Sequence, residues 1–419
     1  MGIDPAWNSL EGALPGSPTV AALPGPAAPL ITVVTPSYNQ GRFIRATIES
    51  VLSQNYPNLE YIVMDGGSTD ETASVVSEYA SRLTWISEKD NGQSHAINKG
   101  FRMAKGELVS WLNSDDIIFP GALRLAAGAF LKNPALGAVY GEGHQIYVDG
   151  KFRQRFPCTE PFNLWKLVHL SDYILQQTSY FRKNVLDEVG YLDEDLHYTM
   201  DWDLFIRIGK RYEIGYIPKY MGAIREYPEA KSFAGGGKRF AELARVMRYH
   251  TGMRYPEGYF VYGLDTYIPI WCDWCQQRLT PGLARLAEDA LRFVGGNIIG
   301  QVTEKSQGLY ADRWAAPKLK YMLGRGCGTV SIRGILPALS PAFRCQEIAV
   351  TCNGRLLGSF PIPLGEFHLR IPIPEDMASE VCSFVLRASR FIVPKFSGID
   401  GKDYRRLSYR LESFGWERP

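Results

Sequence analysis

From residue 31 onward, apolar positions follow two alternating rhythms. Ile31-Thr-Val-Val-Thr35 is a short β-branched run, stopped by Pro36-Ser37-Tyr38-Asn39. Phe43, Ile44, Ile48, Val51 and Leu52 then recur at helical spacing. Tyr61–Met64 reads as a second strand, ending in Asp65-Gly-Gly-Ser68, where Ser68 or Thr69 can cap a helix carrying Val75, Val76 and Tyr79. Leu83–Ile86 is a third strand, followed by a helix from about Gln93 to Met103. Leu108–Leu112 is a fourth, running into Asn113-Ser-Asp-Asp116 and a helix from about Pro120 to Leu131. Short strands alternating with longer helices predict βαβ units and an α/β fold with a parallel sheet. Such sheets bind ligands beyond the carboxyl ends of their strands. The polar clusters Thr35–Asn39, Asp65–Asp70 and Asn113–Asp116 all fall at such ends, which argues for one shared site.

The rhythm changes twice more. Residues 137–222 mix strands and helices, including an amphipathic stretch from about Met200 to Lys210, and residues 235–325 read mainly as helix. From Cys327 the period is two. Ile348–Cys352, then Asn353-Gly354, then Leu356-Leu357 form a hairpin signal, continued by Phe367–Ile371 and Phe384–Arg387. The expected organisation is a Pro/Ala/Gly-rich disordered tail at 1–30, an α/β domain at 31–232, a helical extension at 233–326 and a β-sandwich at 327–419.

Composition narrows the class. Of 419 residues, 45% are hydrophobic and 21% charged, enough for a real core. Forty-six basic against 44 acidic residues leave a net charge of +2, so nucleic acid is not an expected partner. The seven cysteines are odd in number and irregular in spacing, against a disulfide framework. Cys272-Asp-Trp-Cys275 has metal spacing but no second pair nearby, and plain thiols are expected. No apolar run reaches the ~18–20 residues of a spanning helix. The first 30 residues hold six prolines and no Lys or Arg, so the charged start of a signal peptide is missing. A reducing cytoplasm is the expected location, with peripheral contact at the inner membrane face. The aromatic stretch Tyr259–Tyr262, Tyr267–Trp271 and Trp274 is expected in a core or acceptor groove, a lipid interface being the other reading.

Each polar cluster has two readings. Asp115-Asp116 is a loop pair, or a hard-oxygen site where a divalent cation and a diphosphate relieve the repulsion. Asp65-Gly66-Gly67 is a turn, or an acceptor for a base or ribose with backbone close enough to pack against it. Asp90-Asn91-Gly92 is a plain turn, and Lys99 a solvated charge, unless they face a ligand. Asp201 stands at a predicted helix start, as a cap or as a general base.

The order of the pieces resembles family 2 glycosyltransferases. Val33-Val-Thr-Pro-Ser-Tyr-Asn39, Met64-Asp-Gly-Gly-Ser-Thr-Asp70, Glu88-Lys-Asp-Asn-Gly-Gln93 and Ala96-Ile-Asn-Lys-Gly100 carry the likeness. So do Trp111-Leu-Asn-Ser-Asp-Asp116, Asp187–Asp193 and Met200-Asp-Trp-Asp-Leu-Phe-Ile-Arg207, together covering about residues 31–232. The resemblance implies a GT-A fold and inverting transfer of a sugar from a nucleotide donor, with a UDP-sugar as default. Thr35, Pro36, Ser37, Tyr38, Asn39, Asp65 and Asp90 would bind the nucleotide, and Lys99 would face its diphosphate. Asp115 would meet the ribose or sugar, Asp116 a Mg or Mn ion, and Asp201 would be the catalytic base. Gln177 matches a residue near the acceptor. Where many relatives carry Arg-x-His, this chain has Arg225-Glu-Tyr227, so Tyr227 replaces a metal-side His. Phe391–Pro394 and Asp403–Ser408 resemble β-sandwich modules appended to some bacterial glycosyltransferases. The acceptor implied is a glycan or lipid-linked glycan, in surface polysaccharide or glycoconjugate synthesis. Rival readings are a sugar nucleotidyltransferase, which would want a Gly-rich basic phosphate loop, and a degenerate transferase that only binds glycan.

Overall fold

A computed structural model describes residues 28–157, 159–231, 235–310, 312–326, 328–338, 345–377, 379–394 and 405–417. Residues 1–27 of the expected tail, Cys158, Cys327 and the Asp403-Tyr404 part of the C-terminal likeness lie outside them. The chain divides into two compact units. The first comprises residues 1–162, 173–208 and 212–235, and the second 163–172, 209–211 and 236–419.

In the first unit the chain runs β1 (Ile31–Ser37), α1 (Gly41–Leu52), β2 (Leu59–Asp65), α2 (Thr72–Ser77), β3 (Thr84–Ser87), α3 (Gln93–Met103) and β4 (Leu108–Trp111). β5 (Ile117–Ile118), α4 (Ala122–Lys132), β6 (Leu136–Ile146) and β7 (Phe152–Arg155) follow. After the segment 163–172 come β8 (Tyr180–Arg182), α6 (Lys183–Val189), α7 (Met200–Arg211) and β9 (Glu213–Arg225), α5 (Leu164–His169) belonging to the second unit. The strands join one nine-stranded sheet in the order β3-β2-β1-β4-β8-β6-β9-β5, with β7 on β6. β1, β2, β3 and β4 are mutually parallel, as the alternating pattern predicts. β8 is antiparallel to β4, which reverses the sheet. The α/β, GT-A-like architecture expected from the sequence is thus observed.

Apolar periodicity explains the packing. α1 buries Ile44, Ile48 and Val51 against the sheet core of Ile31, Val33, Val63 and Leu108, and Phe43 against Tyr227, their rings 5.2 Å apart. α3 lies close against β1, for a Cβ at Gly100 would stand 2.4 Å from Val34 Cγ1. The two-residue strand β5 has an effect out of proportion to its length. Pairing Ile117 with Ala223 brings the end of β4 beside the end of β9.

The second unit holds α5, α8 (Gly236–Thr251), α9 (Glu257–Arg278) and α10 (Pro281–Lys305), then two four-stranded antiparallel sheets. One has β10 (Trp314–Ala315), β17 (Tyr409–Trp416), β12 (Gly328–Leu336) and β15 (Gly365–Ile373) in that order. The other has β11 (Lys318–Leu323), β16 (Cys382–Ala388), β13 (Cys345–Cys352) and β14 (Arg355–Pro363). They share one core, in which Phe414 of the first sheet lies 4.5 Å from the Tyr321 ring and 5.2 Å from the Phe384 ring of the second. The predicted hairpin turns at Asn353 and Gly354, both with positive φ (48° and 82°), as a two-residue turn requires. Cys272 and Cys275 are buried free thiols. Among the described residues, no helix is long and apolar enough to cross a membrane.

Candidate functional site

The ends of β1 and β2 are laced together. Gly66 N–H donates to the Ser37 carbonyl at 2.8 Å. Asp65 is 2% exposed, and its carboxylate accepts from the Ser68 N–H at 3.2 Å and from the hydroxyls of Ser68 and Ser87. Asn39 takes a left-handed φ of 52°, which lets its N–H donate to Ser68 Oγ and its side-chain oxygen accept from Thr69 N–H, both at 2.8 Å. Asp70 accepts from the N–H groups of Gly41 and Thr72, at 2.9 and 3.0 Å. Gly66 is needed here because a Cβ would stand 2.8 Å from Asp90 Oδ2 and 3.3 Å from the Tyr38 ring. Asp90 is itself fixed by the Gly92 N–H at 2.8 Å. Tyr38 is exposed beside this glycine, and the Ser37 hydroxyl is buried with no partner among the described residues. An exposed ring, a backbone floor, a buried carboxylate and an orphaned hydroxyl thus share one corner of the sheet.

Three residues expected at the nucleotide show other engagements. The Thr35 hydroxyl is buried 3.0 Å from Tyr61 OH, so its side chain belongs to the sheet interior. Pro36 sits within β1, opposite Met64. Lys99, on α3, is ion-paired with Glu88.

The end of β4 is a second polar cluster. Asp116 is 2% exposed and accepts from Gln177 Nε2 at 2.6 Å, Arg225 N–H at 2.9 Å and Asn113 Nδ2 at 3.1 Å. Burial first, then the neighbouring Asp115 charge, hold its carboxyl well above the ordinary range, against the pull of these three donors. Asp115 is less buried and accepts from Tyr227 OH at 2.6 Å. Burial, then Asp115, push the Tyr227 phenol upward, so it stays a donor at neutral pH. Arg225 fastens the cluster: its Nε donates to the Asp115 carbonyl at 2.8 Å and its Nη1 to the carbonyls of Tyr147 and Val148, at 3.0 and 2.8 Å. Its guanidinium lies 4.9 Å from the Phe43 ring centroid. Gln93 donates to Asn113 Oδ1 and accepts from Lys231 Nζ, each at 2.7 Å.

Among the described residues, no group of three or more His, Cys, Asp or Glu could hold a metal ion. The protein donors suit an ion of the Mg type only when a diphosphate completes its shell, since such ions use one or two carboxylates plus phosphates and water. Of the adjacent pair, Asp115 offers the more open carboxylate, while Asp116 is engaged by three internal donors.

Asp201 is the second residue of α7 and half-buried; its Oδ1 accepts from the Trp202 N–H at 2.9 Å. Asp203, not Asp201, pairs with Arg207, at 2.7 Å. The loop leading to α7 is tied to α3, with Asn98 exchanging bonds with Leu192 at 2.9 and 3.0 Å and Ser94 Oγ reaching the Leu196 carbonyl at 3.3 Å. The same helix begins at Gln93, which touches Asn113, so α3 links the β4 end to the approach to Asp201. Sequence reasoning missed Ser87 and Lys231, and gave Asn113 only as a member of the strand-end cluster. It also missed that Gln177 and the Arg225 backbone meet Asp116. The pattern flagged Ser68 only as a cap.

Residues 32–190 match the family model described as Glycosyl transferase family 2. An uncharacterized glycosyltransferase of Rickettsia prowazekii is 28% identical over 198 residues, 44% of this chain and 61% of that protein. Chondroitin synthase of Escherichia coli is 28% identical over 185 residues, 43% of this chain and 27% of the relative. The O-antigen biosynthesis protein RfbC of Myxococcus xanthus is 31% identical over 227 residues, 52% and 17%. The chain therefore spans no more than 61% of the length of these relatives. Among solved structures, S. aureus TarS 1–349 in complex with UDP-GlcNAc aligns at TM-score 0.43 and 18% identity, covering 67% of this chain and 93% of that one. What the chain contains is thus a GT-A-like sheet with a family 2 glycosyltransferase match, followed by helices and C-terminal antiparallel sheets.

Proposed function

We propose that this protein transfers a glycosyl group from a nucleoside diphosphate sugar, a UDP-sugar by default, to an acceptor hydroxyl with inversion. The observation that carries the reading is the loading of the successive ends of the parallel strands β2, β3 and β4 with fixed carboxylates: Asp65 and Asp90 at one corner, Asp115 and Asp116 at the next. The family 2 match over the same segment supports it.

In this reading Tyr38, Asn39 and the Ser37 hydroxyl line the nucleotide pocket, with the backbone of Thr35 and Pro36 behind them. Asp65 and Asp90 accept hydrogen bonds from the base and ribose. Lys99 balances the diphosphate by exchanging its Glu88 partner for phosphate, and Lys231 adds a second cation near Asn113. Asp115, held by Tyr227, would hold a divalent Mg or Mn ion in place of Asp116, to which the resemblance assigns it, because Asp116 is engaged by three internal donors. When bound, the ion neutralises charge that develops on the departing diphosphate. Asp201 accepts the proton of the acceptor hydroxyl as that oxygen attacks the anomeric carbon from the face opposite the leaving group. An α-linked donor then gives a β-linked product.

The acceptor class we propose is a glycan or lipid-linked glycan of a surface polysaccharide. The names of the E. coli and M. xanthus relatives support that setting. Work at the cytoplasmic face of a membrane, in peripheral contact, belongs to the same proposal.

Asp201→Asn keeps the shape of the side chain and removes its basicity. Transfer should fall by about 100-fold or more, with nucleotide affinity unchanged by calorimetry. Transfer at the wild-type rate would remove Asp201 from the base role. A thermal-shift screen with UDP, GDP and dTDP, each with and without Mn, fixes the donor; no shift with any of them would overturn the nucleotide-sugar reading.

A further inference from the structure

The helices α9 and α10 form an antiparallel hairpin with more apolar surface than its own contacts use. The seam between them is defined by Ile268, whose Cδ1 lies 2.0 Å from where a Cβ on Gly295 would stand, and by buried Cys272, Cys275 and Ala284. Among the described residues, α8 contacts the first half of α9, through Phe240 against Tyr259 and Tyr267 at 5.1 and 5.5 Å. Beyond it, Ile270, Trp271 and Trp274 are exposed. On α10, Leu283, Leu286 and Phe293 are exposed, Leu286 to 67% and Phe293 to 72%, with Val294 and Ile298 beside them.

These side chains share one side of the hairpin. At about 100° per residue, each exposed strip lies roughly 120° from its helix's buried seam, in the same rotational sense on both helices. For antiparallel neighbours, equal sense puts both strips on the same side. The opposite side corroborates this, because there Gln276 of α9 donates to Glu288 of α10 at 3.1 Å, and Glu288 pairs with Arg292. That polar side mixes Asp273, Glu288 and Asp289 with Arg285 and Arg292, while Arg278 lies over the Trp274 ring of the strip, 5.3 Å from its centroid.

We infer that this face is the self-association surface of the protein, where the hairpins of two copies pack about a two-fold axis into a four-helix bundle. Leu283, Leu286, Ala290 and Phe293 recur at spacings of three and four, the repeat of a helix seam that packs against other helices. At about 200 Å² for a large apolar side chain, the strip exposes on the order of 900 Å² per chain. Two copies would bury about 1,800 Å², within the roughly 1,200–2,000 Å² of stable specific interfaces. Large apolar patches of this kind mark interaction sites on soluble proteins. The balanced charges of the polar side lack the Lys/Arg excess of helices that lie in a membrane surface.

Sedimentation velocity on the full chain across micromolar concentrations tests this. The wild type should run at twice the chain mass, and Leu286→Glu/Phe293→Glu at the single-chain mass with an unchanged circular dichroism spectrum. Asp289→Lys, on the polar side, should remain a dimer. A monomeric wild type, a dimeric double variant or a dissociated Asp289→Lys protein would each overturn the inference. So would a monomer that co-sediments with vesicles of phosphatidylcholine and phosphatidylglycerol through Leu286 and Phe293, since lipid would then be the occupant. Dimerisation seen only after removal of residues 1–27 would likewise overturn it, because the chain's own segment would then cover the face.

Discussion

The nine-stranded sheet of the first unit and the paired antiparallel sheets of the second solve the same burial problem with different interiors. Around the first, Asp65, Asp116, Arg225 and Glu226 are all buried, and most lie near strand ends. The shared core of the second is apolar, with Gln346 and Ser408 the buried polar side chains of the described strands and their flanks. Buried charges destabilise a fold unless every donor and acceptor is matched. Their concentration near the strand ends of one sheet fits the proposed site. The difference follows from topology. Parallel strands bring all their carboxyl ends to one edge, whereas antiparallel strands alternate and gather no such edge.

Substitutions that trade one property for the other separate the two interiors. Phe384→Ala, in the apolar core, should cost about 3–5 kcal/mol of unfolding free energy and leave nucleotide affinity unchanged. A tenfold loss of affinity would show that the two interiors are not functionally separate. Asp115→Ala and Asp116→Ala should divide the strand-end pair. Asp115→Ala should reduce transfer at least about 100-fold with little change in melting temperature. Asp116→Ala strands the Gln177, Arg225 and Asn113 donors and should also destabilise by about 1–3 kcal/mol. Equal melting temperatures for the two variants would remove the distinction between open and internal carboxylates.

The second unit holds a half-buried ionic cluster away from its β core. Glu257 is 3.1 Å from Lys320 and 3.5 Å from His169, whose ring stacks on Trp165. Burial alone would raise its carboxyl, but His169, its own backbone N–H and Lys320 overcome that and hold it down to about 2. The unfolded carboxyl takes its proton near 4.3, so the stabilisation is complete above that pH and lost as pH falls toward 2. Chemical denaturation across this window should show a slope that Glu257→Gln flattens, with no effect on nucleotide binding. The smallest effect is expected at Gly66. Gly66→Ala must displace Asp90, and should weaken nucleotide binding by about fivefold, near 1 kcal/mol, at nearly unchanged stability.

Much of this was legible along the chain. Hydrophobic period is a local property, so β1 to β4, α1, α3 and the Asn353-Gly354 hairpin can be read from spacing alone. The polar clusters stand out because they interrupt that period at strand ends. Hydrogen-bond partners are not local. Gln177 reaches Asp116 across 61 residues and Arg225 across 109, brought there by the pairing of β5 with β9. Nothing in Asn-Ser-Asp-Asp says which aspartate those donors will occupy, and so which stays open to a ligand.

Local pattern along the chain sets the alternation of strands and helices, the edge of the sheet where polar groups gather, and the stock of carboxylates there. Packing sets the rest: Asp116 is enclosed and Asp115 more accessible, Lys99 is engaged by Glu88, and among the described residues one face of the α9–α10 hairpin is exposed. The reason is physical. Periodicity fixes which face of an element is apolar, but only packing fixes whether a neighbour arrives to cover it.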